Sequence, residues 1–519
     1  MGQIREARGK VLERMPNAVI FEGFPYNRYD VSRPRLSERD EKLASLLIKV
    51  ISRASSLNSL LAALGKKNTK LVEGFRNTVI RYIDVNELLQ RIPEAKQLEH
   101  LKKELTAVAE SLGVSSKEEF VSLVLDQTVG YGSLSVLMSD PNLEDIMVNG
   151  FERNVFVFHR RFGNCKTNIL VDRKSGILSF IKRISATVRK QFTEAHPLLD
   201  ARLPDGSRAN ATFSYVSPFG HTLTIRKFSK IPLSIVDLMA NNTLTSEAAS
   251  FLWTMVQGLG AYSMNTIITG GTGSGKTTLM NVLASFIPFE ERIISIEDTL
   301  ELDLGGRENW IQMESKPKIK DILPVSMDDL LKNTLRMRPD RIVVGEVRGV
   351  EAETLFVAMD TGHDGILGTL HSNSAREMML RLKNPPMNVP EQMLPLLDLV
   401  VVMQRHYDKQ KGMLRRVKQV AEIGRMDEKV LLNNVFELNR KKDVVEKTNV
   451  PSSLVEKLAQ ARGIGKNELK RELLVRSRIL EYLLEKGIRD RAQVESIIQQ
   501  YYYSPESVLK KITEQEQTG

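Results

Sequence analysis

The stretch NTIITGGTGSGKTTLM, residues 265–280, constrains the fold more than any other part of this chain. Residues 265–269 are apolar and β-branched enough to read as a buried strand, and Gly270 to Thr277 fits G-x-x-x-x-G-K-[ST] directly before a helical run. Gly270, Gly271, Gly273 and Gly275 let consecutive backbone N–H groups turn inward onto a phosphate chain. The start of the helix adds about half a positive charge there. Lys276 can bridge the β- and γ-phosphates, and the Thr277 hydroxyl can bind Mg²⁺. Thr272, Ser274 and Thr278 complete the expected nucleotide-binding set. A chance glycine-rich turn would lack this combination of strand, helix and Lys-Thr pair.

Residues 235–405 alternate strand and helix, which argues for a mostly parallel sheet. In open α/β sheets, ligands sit beyond the carboxyl ends of the strands. Polar groups collect there. The strand RIISI (292–296) leads into Glu297, Asp298 and Glu301. RIVVG (341–345) leads into Glu346 and Arg348. GILGTL (365–370) leads into His371, with His363 on the turn before it. LVVVM (399–403) leads into Gln404 and Arg405. Many ATP-hydrolysing strands end in a metal-holding aspartate; here the strand ends at Gly345, and the first acid is Glu346, on a loop. Its extra methylene can make up the distance. Glu346 is assigned to the magnesium shell with Thr277 and Asp298, and the 297–301 cluster to the attacking water, though the two roles can be exchanged. Capping of a helix N-terminus is the competing reading for Glu297 and Asp298. His371 is a candidate γ-phosphate contact, and His363 a weaker one.

Elsewhere the chain is less explicit. Its 519 residues suit about three domains. Residues 1–135 read as a mainly helical leader, irregular over 1–34, with helices over 37–64 and 94–111 and a capping box from Ser116 and Glu119 before the next. Residues 136–230 carry short strand-like runs around a basic amphipathic helix (177–192), a small α/β domain. SKIPLS (229–234) reads as a linker, and residues 406–519 as an appended strand/helix subdomain. The single cysteine, Cys165, excludes an internal disulfide and a cysteine-based zinc cluster. The longest apolar run, 394–403, is interrupted by Asp398 and falls short of the roughly 20 residues of a membrane span. The charged N-terminus lacks the apolar core of a secretory signal, so the expectation is a cytoplasmic protein. A net charge of +10 permits contact with anionic lipid or nucleic acid without requiring either.

GGTGSGKTT, ISIEDTLEL, LRMRPDRIVVGEVRG and TGHDGILGTLHSN, in this order, resemble the phosphate loop, aspartate box, atypical Walker B and histidine box of the type II/type IV secretion ATPases. DPNLEDIMVNG (140–150) and DARLPDGSRANATF (200–213) resemble that family's N-terminal domain. A Walker B segment ending in Gly-Glu is a habit of this family. The resemblance implies a RecA-like P-loop ATPase domain after a small α/β, PAS-like domain, with ATP and Mg²⁺ as cofactors. It also implies a homo-hexamer acting on a polytopic membrane platform protein of a pilus, archaellum or secretion system. The ring would work at the inner face of the cell membrane, with its basic surface facing anionic lipid. Arg202, Arg208 and Arg226 become candidate trans-acting arginines, with pairing to Asp200 or Asp205 as their alternative; Arg336 and Arg338 are further candidates. The missing four-cysteine module and the long flanks fit the archaeal branch. Two rival functions stay open: a DNA-translocating or conjugation-type ATPase, although no DNA-binding module is recognised, and a nucleotide-gated scaffold that does not hydrolyse.

Overall fold

The structure is a computed structural model of the chain and describes residues 9–32, 36–52, 95–171, 176–227, 232–316, 323–408, 411–426 and 429–517. The chain divides into two compact units, Met1–Lys230 and Ile231–Gly519.

Among the described residues, the first unit holds β1 (Val11–Met15), β2 (Ala18–Phe21), β3 (Asn27–Val31), β4 (Leu143–Asn149), β5 (Arg153–His159), β6 (Gly163–Val171), β7 (Leu198–Arg202), β8 (Arg208–Thr212) and β9 (Thr222–Arg226). They form one sheet in the order β1-β2-β3-β6-β5-β4-β9-β8-β7. Of these neighbours, only β3 and β6 run parallel. The segment read from sequence as irregular, residues 1–34, therefore supplies three strands. Each is four or five residues long, too short for a periodicity argument, and tertiary contacts hold them: Ala18, Ile20 and Tyr29 are buried in the unit's core. The Tyr29 hydroxyl donates to Asp140 at 2.5 Å. The helix Ile177–Thr187 turns Phe180, Ile181 and Ile184 into the same core, as its amphipathic spacing predicts.

Helices Glu38–Ser52, Ala95–Ser111 and Lys117–Thr128 form a separate apolar cluster around Leu101, Leu105, Phe120 and Val124. Ser116 occupies the N-cap position of the third but makes no side-chain capping bond, so the expected box with Glu119 is not formed. The remainder of the helix expected over 37–64 lies outside the described residues beyond Ser52, as does the first half of the 229–234 linker. Ser234, at the end of that linker, caps the helix Ile235–Ala240 in a reciprocal box with Asp237.

The second unit contains β10 (Thr266–Gly270), β11 (Ile293–Glu297), β12 (Trp310–Glu314), β13 (Arg341–Val347), β14 (Leu367–Leu370), β15 (Leu399–Asp408), β16 (Gly412–Met426), β17 (Lys429–Asn439) and β18 (Val444–Lys447). The order is β12-β11-β13-β14-β10-β15-β16-β17-β18. The first six strands run parallel; the last three continue the sheet antiparallel. This is the α/β, RecA-like arrangement expected from sequence, with the phosphate-loop strand inside the sheet between β14 and β15. Near-continuous apolar strands follow from burial on both faces. Ile268, Val343 and Val401 face one core, while Ile267, Val344 and Val400 face the other. Residues 406–519, expected as an appended subdomain, extend this sheet and share its core: Leu458, Leu480 and Ile498 of the C-terminal helices join the cluster of Ile268.

Candidate nucleotide site

β10 delivers the glycine-rich loop, and the helix Lys276–Ala284 starts immediately after it. Gly273 has φ 69°, a left-handed conformation that favours glycine, and a Cβ there would displace the tip of the Arg405 side chain. Arg415 Nε donates to Gly273 O at 3.0 Å from the β15–β16 hairpin. Lys276 is largely buried; its Nζ donates to Gly270 O (3.0 Å) and Gly271 O (3.3 Å) and lies 3.4 Å from His371 Nδ1. The other ring nitrogen of His371 lies 3.5 Å from Thr272 Oγ1. Burial, and then the Lys276 cation, push the His371 imidazole below its ordinary value, so the ring is neutral at pH 7 and can accept a hydrogen bond beside the lysine. Ser274 is buried within the loop, and Thr277 and Thr278 are half-buried at the start of the helix.

The acids come from β11 and β13. β13 runs on through Gly345 and Glu346 to Val347, so Glu346 lies on the strand rather than on a loop beyond it. Pairing with β14 is irregular between Val344 and Val347, and the Thr369 hydroxyl donates to Gly345 O at 2.6 Å. Such a bulge re-aims a side chain at the end of a strand. Arg348 Nη2 donates to Glu346 at 2.7 Å, and Arg348 Nη1 lies 3.5 Å from Asp298. Burial alone would raise the Glu346 carboxyl. The Arg348 hydrogen bond and charge, helped by the Lys276 cation, hold it below its ordinary value. Asp298 is exposed and also accepts from Ser315 Oγ at 2.8 Å.

Glu297 differs from its neighbours. It is 1% exposed, and one of its oxygens accepts from the backbone N–H groups of Glu301 (2.6 Å) and Leu302 (2.9 Å). The other accepts from Gln312 Nε2 at 3.1 Å. Burial raises its pKa despite these donors. Expected among the residues that act on water, Glu297 has its carboxylate committed to shaping the loop that presents Asp298 and Glu301. Its side chain also explains the glycine at the end of RIVVG: a Cβ on Gly345 would stand 2.9 Å from Glu297 Cγ and 3.4 Å from its Cα. Gly345→Ala is therefore expected to destabilise the chain by about 1–3 kcal/mol, as overpacking does, and to slow turnover while leaving nucleotide affinity intact. Urea denaturation with a parallel ATPase assay checks this; an alanine variant with unchanged stability and rate would show that the close approach imposes nothing.

The remaining candidates separate. His363 lies before the N-terminal end of β14, with Nδ1 3.2 Å from Ala358 O, at the sheet edge opposite His371. Arg336 and Arg338 are exposed on the segment that enters β13 at that same far edge. In the first unit, Arg202, Arg208 and Arg226 stand directly opposite one another on β7, β8 and β9, with Asp145 of β4 opposite Arg226. The row lies on the face away from the core, whose neighbouring positions Ala201, Ala209 and Ile225 are buried. Like charges directly across a sheet repel, and Asp145 adds an acid at one end of the row.

Residues that the sequence left without a role include Glu351, whose buried carboxylate accepts from the N–H groups of Arg348 (2.6 Å) and Gly349 (2.8 Å) and so fixes the arginine's backbone. An acid at the start of a helix, three residues after Arg348, was the available signal. Thr369 and Arg415 had none, because their partners are backbone carbonyls distant in sequence. The donor set suits Mg²⁺ carried on phosphates: Thr277 offers a neutral oxygen, and Arg348 keeps Glu346 ionised. Among the described residues, no three His, Cys, Asp or Glu side chains converge to hold a metal.

Residues 135–515 match the family model described as type II/IV secretion system protein. A relative in Methanocaldococcus jannaschii, an uncharacterised protein, is 33% identical over 486 residues, covering 92% of this chain and 85% of its own. The conjugal transfer protein TrbB of Rhizobium radiobacter is 29% identical over 298 residues, 56% of this chain and 86% of that protein. Among solved structures, the VirB11 ATPase of the Brucella suis type IV secretion system, crystallised with sulphate, is 26% identical over 55% of this chain and 91% of its own, with a TM-score of 0.28.

Proposed function

The chain belongs to the type II/IV secretion system protein family, and on that premise we propose that it is a hexameric motor ATPase. In this reading it hydrolyses MgATP at the inner face of a cell membrane. It powers a type IV pilus-like filament, an archaellum or a secretion machine through a membrane platform protein. The observation that carries the reading is Lys276, on the helix that follows β10, lying 3.4 Å from His371 at the end of β14, with Glu346 of β13 near enough for the Lys276 charge to act on it. It supports a triphosphate whose γ end lies on the β13–β14 side of the phosphate-loop strand. Lys276 exchanges its loop carbonyls for phosphate oxygens there. His371, neutral, can hydrogen-bond a phosphate oxygen or water. Glu346, ionised, orients the attacking water and can take its proton. Asp298 and Thr277 take the magnesium side. This exchanges the roles first given to Glu346 and to the 297–301 cluster, because the Glu297 carboxylate is already occupied. Magnesium, when bound, neutralises charge that develops on the phosphates.

The arginine row of the first unit supports a contact across subunits, since its three guanidinium groups gather positive charge on one face, where a γ-phosphate would complement it. An arginine in that position is worth about 10³–10⁵ in rate where it acts as a finger. Arg208→Ala and Lys276→Ala chains, each inactive alone, are expected to regain ATPase activity when mixed. Each mixed interface can pair an intact phosphate loop with an intact arginine. No recovery at any mixing ratio would contradict a trans role.

The conjugal transfer relative gives a second reading, a motor acting on DNA. Hydrolysis stimulated by DNA, with the stimulation falling steeply with salt, would favour it over a protein platform. Among the described residues, no helix is long and apolar enough to cross a membrane.

A further inference from the structure

The helix Arg491–Tyr503 contributes nothing to the phosphate loop itself, yet three of its buried polar side chains end on the two elements that carry the chemistry. Gln499, 3% exposed, donates to Ser285 O (3.0 Å) and Ile287 O (2.9 Å), just past the C-terminal end of the phosphate-loop helix. Arg491 donates to Asp303 O, and its Nη1 lies 3.8 Å from the Asp303 carboxylate. Glu495 pairs with Arg307 at 3.7 Å. Arg307 in turn donates to Pro288 O at 2.9 Å and to Ile287 O. Asp303 and Arg307 belong to the loop that Glu297 starts, and the Asp303 N–H is itself held by Asn281 of the phosphate-loop helix at 3.0 Å.

Packing does not require this chemistry. Val494 and Ile498, on the same helix, already lie in the core. Buried charges cost free energy unless each is paired, and apolar replacements of similar volume are often at least as stable. What the polar trio adds is position: the directional bonds of Arg491 and Gln499, with the Glu495–Arg307 ion pair beside them, fix one register of the acidic loop against one register of the phosphate-loop helix, where apolar contacts would tolerate a slide.

We infer that Arg491, Glu495 and Gln499 are positioning residues for hydrolysis, holding the loop that begins at Glu297 in register with the helix that begins at Lys276. The inference rests on the ATPase reading above. It makes the C-terminal helices the route by which a displacement at the back of the unit reaches the acids without disturbing the phosphate grip.

The test uses the full chain with Arg491→Ala and Arg491→Lys. Arg491→Ala is expected to lower kcat for MgATP about 10- to 100-fold, the range for a small misplacement of reacting groups. The Kd for a fluorescent ATP analogue should stay near that of the parent, and the melting temperature should fall only by the few degrees that one lost buried hydrogen bond costs. Arg491→Lys, which can still donate to Asp303, should recover most of the rate. If Arg491→Ala does not fold, Glu495→Gln, which keeps the volume and removes the charge pair, takes its place with the same readouts. An active parent whose folded variants keep kcat overturns the inference alone. So does a joint fall of kcat, affinity and melting temperature, which a merely structural role would give. A parent that binds ATP without turnover overturns the proposed function and this inference with it.

Discussion

Lys276→Ala is expected to weaken nucleotide binding about 100-fold and, with it, to abolish turnover. The Lys276 ammonium is held over the loop by Gly270 O and Gly271 O, beside His371, so it already reaches back over the turn that would cradle a phosphate chain. Replacing two neutral carbonyls with phosphate oxygens turns ordinary hydrogen bonds into charge-assisted ones. Losing a hydrogen bond to a charged group costs up to about 3 kcal/mol, roughly 100-fold in Kd. The alanine variant should fold: Lys276 is the first residue of its helix, and alanine is the better helix former. Titration calorimetry with ATP and Mg²⁺ measures the loss. Undiminished affinity in a folded Lys276→Ala chain would mean that the nucleotide is gripped elsewhere.

Glu346→Gln should separate binding from chemistry. Glutamine keeps the size and the hydrogen bond to Arg348 but can neither carry charge nor take a proton. Loss of general-base assistance costs about 10²–10⁴ in rate, while the phosphate loop, untouched, keeps its affinity. Single-turnover measurement of phosphate release, set beside equilibrium ATP binding, reads both quantities. Turnover equal to the parent's would transfer the water-activating role to Asp298 or Glu301, the exposed and half-buried acids on the neighbouring loop.

How much of this could be read from the chain itself differs by element. The loop from Gly270 to Thr278 was legible because its glycines, lysine and threonines act within one turn, and local chemistry is written in consecutive letters. The strand ends carrying Glu346 and His371 were legible because parallel topology sends successive strands to one edge. The state of Glu297 was not: its burial depends on Gln312 of β12, an edge strand without a clear pattern, and on Gly345, far along the chain on a neighbouring strand. The strands over 11–31 were missed for the same kind of reason, since Asn27, Arg28 and Tyr29 pair with Cys165, Lys166 and Thr167 of β6. His363 was the weaker of two histidine candidates in the sequence, and because the two flank one strand they fall at opposite edges of the sheet.

The central claim is that a triphosphate on the 270–277 turn points its γ end at the β13–β14 side. Determining the structure of the Glu346→Gln variant with MgATP bound tests this most directly. The account predicts the γ-phosphate beside Lys276 and His371, with a water held between it and the amide that replaces the Glu346 carboxylate. A γ-phosphate directed instead toward the Arg405–Arg415 hairpin, with residue 346 and His371 away from it, would contradict the claim.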